Sequence, residues 1–124
     1  MKVLLIESES PVRERLAGMI SELSDVQVEI QEPGKLEVEP TLALLHPDVV
    51  LIDIDQSRGR GLEIIRQIHG RRGEREPVII AIASSSSLQY RASCLRAGAI
   101  YFFNRVREQE WLLESLAAMR EQLG

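Results

Sequence analysis

The sequence predicts an α/β fold in which a parallel sheet is covered by helices on both faces. Three observations carry this. Val49–Asp53 and Val78–Ala83 are continuous apolar runs, the first ending abruptly in a carboxylate. Such runs have no polar face, as suits strands buried on both sides. Segments with apolar residues at helical spacing lie around them. The two kinds alternate as βα five times over, which calls for a parallel sheet.

Each element has local support. Lys2–Ile6 reads as a short buried strand closed by Glu7-Ser8-Glu9. Ser10-Pro11 then offers an N-cap and a proline at the first helical position. Val12, Leu16, Met19, Ile20 and Leu23 form the packing stripe of that helix. Val26–Gln31 alternates apolar and polar residues, as an edge strand does. Pro40 is expected to open a short helix through Leu44 or Leu45, which Pro47 stops. Val49–Asp53 is the central strand. Gly61 starts a helix with Ile64, Ile65 and Ile68 on one face, ending near Gly70. After Val78–Ala83 come four serines, read as a loop and N-cap before a helix over Leu88–Ala97. Gly98 sits where a left-handed C-terminal cap belongs. Ile100–Phe103 is the fifth strand, and Glu108 opens the last helix, with Leu112, Leu116, Met119 and Leu123 aligned.

With 124 residues the chain is expected to be a single domain, 1–124, long enough for a proper core. Apolar residues make up 44% and charged residues 27%, which excludes a disordered or membrane-embedded chain. No apolar run reaches transmembrane length, and the N-terminus lacks signal-peptide character. Cys94 is the sole cysteine and is expected to be a small core residue, consistent with a cytoplasmic location. The net charge of −4 makes nucleic acid an improbable partner. Thirteen of the basic residues are arginines, and the two lysines, Lys2 and Lys35, lie early in the chain. Arg58, Arg60, Arg66, Arg71, Arg72 and Arg75 form a basic stretch, read as a solvated face in preference to an acidic-partner or RNA site.

In open α/β sheets the carboxyl ends of the strands open into the ligand crevice, so Asp53 stands at a place suited to chemistry. Acids after the first strand and at the end of the third would meet on adjacent strands. Such an oxygen cluster binds a hard cation such as Mg²⁺, which neutralises charge when a carboxylate attacks a phosphoryl donor.

Over nearly its whole length the chain resembles the receiver domain of two-component response regulators. The resemblance rests on Leu-Ile-Glu-Ser-Glu-Ser-Pro-Val-Arg-Glu-Arg-Leu near the start, Pro-Asp-Val-Val-Leu-Ile-Asp-Ile with Gly61 eight residues beyond Asp53, and Arg-Ala-Gly-Ala-Ile-Tyr-Phe-Phe near the end. It implies a flavodoxin-like sheet of order 2-1-3-4-5 and puts Asp53 at the phosphoacceptor position. It also implies Glu7, Asp53 and the backbone of Asp55 as metal ligands, with Ser8 where the family has its second acid, so Mg²⁺ binding is expected to be weakened. The family's Thr or Ser falls on Ala83, with Ser84 adjacent, and its lysine falls on Arg105. Arginine keeps the charge but is larger and planar. Phe102 takes the aromatic switch position. Phe102 and Trp111 are read as interface residues on the face of the fourth helix, fifth strand and fifth helix, where the family dimerises.

The reading that follows is an atypical receiver, not an enzyme, signalling through contact with a sensor histidine kinase or another signalling protein. Arg105 is expected to pair with Asp53 or Glu7 and to hold one conformation without phosphate. A phosphorylation-competent receiver, with Mg²⁺ on Glu7 and Asp53 and Ser84 assisting, is the alternative. An enzyme on the same fold finds no nucleophile–base pair or glycine-rich phosphate loop to support it.

Overall fold

A computed structural model of the chain describes residues 1–71, 75–84 and 88–123. Five strands, β1 (Lys2–Ile6), β2 (Gln27–Gln31), β3 (Val49–Asp53), β4 (Val78–Ala83) and β5 (Tyr101–Asn104), form one parallel sheet of order β2-β1-β3-β4-β5. The helices between and after them are α1 (Pro11–Ser21), α2 (Val38–Leu45), α3 (Gly61–His69), α4 (Leu88–Ala97) and α5 (Gln109–Leu123).

The two-residue period of each strand divides the core in two. Leu4, Ile6, Val50, Ile52, Ile79, Ala81 and Phe102 face α2, α3 and α4, meeting Leu42, Ile64, Ile65, Ile68 and Cys94. Val3, Leu5, Val49, Leu51, Ile80 and Ile82 face α1 and α5, meeting Leu16, Ala17, Ile20, Leu112 and Leu116. This is why β3 and β4 are apolar throughout: both of their faces are covered. Cys94 lies in this core as expected, and burial pushes its thiol up to about 11.

Several boundaries and stripes differ from the sequence expectation. Helix α2 begins at Val38, so Pro40 is its third residue, not its opener. The first turn of a helix has no intrahelical acceptors for its N–H groups, so a proline there removes no bond. Strand β5 runs one residue later than expected, to Asn104, because Arg105 N still donates to Ala83 O at 2.8 Å. On α1, Val12 is exposed, whereas Arg13 and Ala17 are buried. The guanidinium of Arg13 is held at Glu32 and at the Glu7 carbonyl, which lets a charged residue occupy the inner face. Leu123 is exposed at the end of α5. Ser10 caps α1 as expected, accepting from Arg13 N at 3.0 Å.

In the basic stretch around α3, Arg58, Arg66 and Arg75 are exposed, as a solvated face requires, while Arg60 and Arg71 are tied to the fold. Arg60 donates to the carbonyls of Pro33 and Leu36, and Arg71 makes a two-pronged pair with Glu39 at 2.9 and 3.1 Å. Arg60 ties the segment before α2, and Arg71 the first turn of α2, to the α3 side of the molecule. Arg72 lies outside the described residues, as do Ser85, Ser86 and Ser87.

Gly98 ends α4 with φ +133°, and a Cβ there would lie 2.6 Å from both Cβ and Cγ of His69. Backbone strain and a collision with α3 therefore coincide at one position. Gly98→Ala should lower unfolding stability by about 2–4 kcal/mol, read as a shift of the urea midpoint. An alanine variant as stable as the parent would contradict this packing.

Candidate functional site

The register of the sheet brings the candidate residues together. Ile6 pairs with Ile52, so Glu7 emerges beside Asp53. Asp53 pairs with Ile82, and Ala83 with Asn104, so Ser84 and Arg105 leave the sheet at the same end. The site is therefore built at the carboxyl ends of β1, β3, β4 and β5, where the sheet opens.

At its centre, Glu7 and Asp53 are almost completely buried, at 0% and 1% exposure. The Arg105 side chain, 11% exposed, reaches between them. Its Nη1 pairs with Asp53 Oδ2 and lies 2.5 Å from Glu7 Oε1. The expected ion pair thus forms with both acids at once, through a single nitrogen. The approach to Glu7 is an ionic contact without hydrogen-bond geometry. Among the described residues, both Glu7 oxygens and Arg105 Nη2 lack a hydrogen-bond partner. Asp53 Oδ1 accepts from Gln56 N at 3.0 Å, so both of its oxygens are engaged.

Two buried carboxylates beside one guanidinium leave an excess of negative charge. Burial pushes Glu7 up to about 7; Arg105 opposes this, and neighbouring Asp53 adds to it. Asp53 is raised too, first by burial and further by Asp55, against the pull of Gln56 N–H and Arg105. A proton held by Glu7 relieves the crowding of charge, as in other close carboxylate pairs.

The remaining predicted positions are occupied elsewhere. Ser8 is turned onto the loop after β3: its N and Oγ both donate to Gln56 O, at 2.9 and 3.0 Å. The Asp55 carboxylate crosses to the loop after β4, where Oδ2 accepts from Ser84 N at 2.5 Å and Ser84 Oγ at 2.7 Å. Ser84 is thereby bound to Asp55 and not to Asp53, and Ala83 is buried with no hydroxyl to offer. Phe102, expected at an interface, is 4% exposed and packs into the core with α3 and α4. Strand alternation turns it inward and leaves its neighbours Tyr101 and Phe103 on the opposite face, stacked with centroids 5.7 Å apart. Trp111, by contrast, is 59% exposed.

A divalent cation at the family's metal position needs several oxygen ligands from side chains or backbone. Here a serine replaces one acid and points away, and a guanidinium nitrogen lies against an oxygen of each remaining acid. Among the described residues, no three His, Cys, Asp or Glu side chains are arranged to hold a metal. The residues present, with Arg105 where it stands, do not fit Mg²⁺.

Two supporting devices escaped the reading of the residues. Glu32 Oε1 accepts from Arg13 Nη1 at 2.8 Å and from Glu9 N at 3.1 Å, fixing the loop that carries Glu7 and Ser8. Asn104 Oδ1 accepts from Val106 N at 3.0 Å and Arg107 N at 2.9 Å, shaping the turn from which Arg105 projects. An asparagine directly after an apolar strand is a turn signal that was available in the sequence. The partnership of Arg13 with Glu32 was not, because it joins residues of different elements.

Fold and site together define a receiver, and the chain belongs to the response regulator receiver domain family, whose model matches residues 3–117. That family is the receiver module of two-component response regulators. It is 28% identical over 119 residues to the response regulator MprA of Mycobacterium tuberculosis, covering 96% of this chain and 50% of that protein. It is 26% identical over 126 residues to a protein-glutamate methylesterase/protein-glutamine glutaminase of Chromobacterium violaceum, covering 99% of this chain and 34% of the other. The chain thus spans between a third and a half of the length of these curated relatives. Among solved structures, the BeF3-activated N-terminal receiver domain of Klebsiella pneumoniae RstA shares the fold with a TM-score of 0.78 at 23% identity, over 95% of this chain and 97% of that one. No helix among the described residues is long and apolar enough to cross a membrane.

Because Glu7 binds its proton more tightly when folded than at its ordinary value of 4.5, its contribution to stability is full below about pH 4.5. That contribution is lost as the pH rises through about 7. The shift corresponds to about 3 kcal/mol. Glu7→Gln should therefore gain stability relative to the parent between pH 5 and 8, by up to about that amount, in parallel urea titrations. A difference between the two proteins that stays constant over this range would contradict the assignment.

Proposed function

We propose that this chain is an atypical receiver domain that works by protein–protein contact, with phosphorylation at Asp53 weak or absent. The observation that carries this is the engagement of Asp53: it is 1% exposed, with one oxygen bound by Gln56 N–H and the other by Arg105. A nucleophilic carboxylate must reach a phosphodonor in line, with the developing charge neutralised. Here each Asp53 oxygen already has a partner, and Ser84 is held by Asp55. The Arg105 pair holds in place the strand ends that a phosphoryl group and its cation would otherwise join. The alternative, a working phosphoacceptor assisted by Mg²⁺ and Ser84, requires Arg105, Ser8 and Ser84 all to leave their present partners.

The surface proposed to carry the signal is formed by α4, β5 and α5, and the occupant proposed is a second copy of this chain. Leu95, Ile100, Tyr101 and Trp111 are exposed there, alongside Arg91 and Arg107. Tryptophan, tyrosine and arginine are the residues that anchor protein interfaces.

Two experiments test the reading. Incubation with Mg²⁺ and a small-molecule phosphodonor should leave the intact mass unchanged; a stoichiometric phosphoryl adduct lost in Asp53→Ala would overturn the first part. Sedimentation velocity over a concentration series should show reversible dimers, weakened about tenfold by Trp111→Ala. A monomer at every concentration would remove the second copy as the occupant.

A further inference from the structure

We infer that Arg105 is itself the cation of this site: its guanidinium takes the seat of a divalent metal, and its removal opens that seat to one. The inference rests on the reading of the site given above and names what joins the two acidic strand ends. Nη1 contacts an oxygen of each acid from a side chain that is 11% exposed, so the positive charge is interior and belongs to the chain. A cation seated between the same oxygens would collide with that nitrogen. The charge balance agrees: the two carboxylates and Arg105 together carry one negative charge. Adding a divalent ion would leave positive charge buried without a counter-ion, which is costly.

The fit of arginine to this seat is incomplete, and the incompleteness is informative. Both oxygens of Glu7, a residue with no exposed surface, lack a hydrogen-bond donor among the described residues, as Nη2 lacks an acceptor. Five fixed donors on a planar fork cannot all be satisfied by a pair of acids engaged through one nitrogen. An ion bound by oxygens on all sides would use what the guanidinium leaves unused. Glu7 and Asp53 therefore keep oxygens turned to one point, and Arg105 blocks a metal from reaching it. Arg105 thus sets the specificity of the site for its cation.

Thermal unfolding with about 10 mM MgCl₂, against a potassium chloride control of equal ionic strength and an EDTA reversal, tests this. The parent Tm should match the control, whereas Arg105→Ala should start lower and rise by about 5 °C in Mg²⁺. That rise should disappear when Asp53→Asn is added. Arg105→Lys, which keeps a charge but lacks the fork, should respond more than the parent, and it decides the matter should the alanine variant not fold. A parent Tm that rises in Mg²⁺ and loses the rise in Asp53→Asn would overturn the inference, as would folded Arg105 variants indifferent to Mg²⁺. Phosphodonor labelling reads separately: an unlabelled parent that binds Mg²⁺ refutes this inference alone. A labelled parent indifferent to Mg²⁺ refutes the proposed function alone.

Discussion

A guanidinium held between two buried carboxylates is the constraint on which this end of the molecule depends. Burying Glu7 and Asp53 side by side is unfavourable, because each loses water and repels the other. Arg105 offsets that cost by joining the ends of β1, β3 and β5 through one nitrogen. Removing Arg105 would leave both acids without their counter-charge in the interior, so the three strand ends form one electrostatic unit. The raised affinity of Glu7 for its proton is the residue of that conflict which Arg105 does not resolve.

Around this unit the loops are cross-tied in pairs. Glu32 and Arg13 fasten the loop after β1, Ser8 fastens it to Gln56 after β3, and Asp55 fastens that loop to Ser84 after β4. Arg60 binds the segment before α2, and Arg71 binds the first turn of that helix. The ties of Ser8 and Ser84 use side chains that a phosphoryl-transfer site would leave available. The outcome is a receiver whose acidic centre is engaged by its own residues, with Leu95, Ile100, Tyr101 and Trp111 among its exposed apolar side chains.

Much of the fold was legible because strands and helices leave periodic marks. Val49–Asp53 and Val78–Ala83 declared themselves by having no polar face, and Ser10-Pro11 by capping chemistry. The expectations that missed are those in which a partner distant in sequence overrides a local preference. Arg13 turns inward because Glu32 receives it, and Pro40 sits inside α2 because a first turn tolerates it. Phe102 was assigned to a surface, but the parity of β5 sends it to the core. That assignment came from the aromatic switch position of the resemblance and not from the alternation of the strand.

By itself the sequence determined the alternation of elements, the parallel sheet, and the identity of the residues at the strand ends: Glu7 and Ser8, Asp53, Ala83 and Arg105. The alternation and the sheet follow from periodicity, which short-range sterics and hydrophobic burial translate directly into structure, whereas the site positions follow from the resemblance to receivers. Only the tertiary structure decided what those residues do to one another. The length of an arginine side chain allows several partners, and the choice of both acids at once depends on strand register, burial and the lack of a nearer counter-charge. Those are properties of the packed molecule, in which low dielectric makes the choice between partners strong enough to fix a conformation.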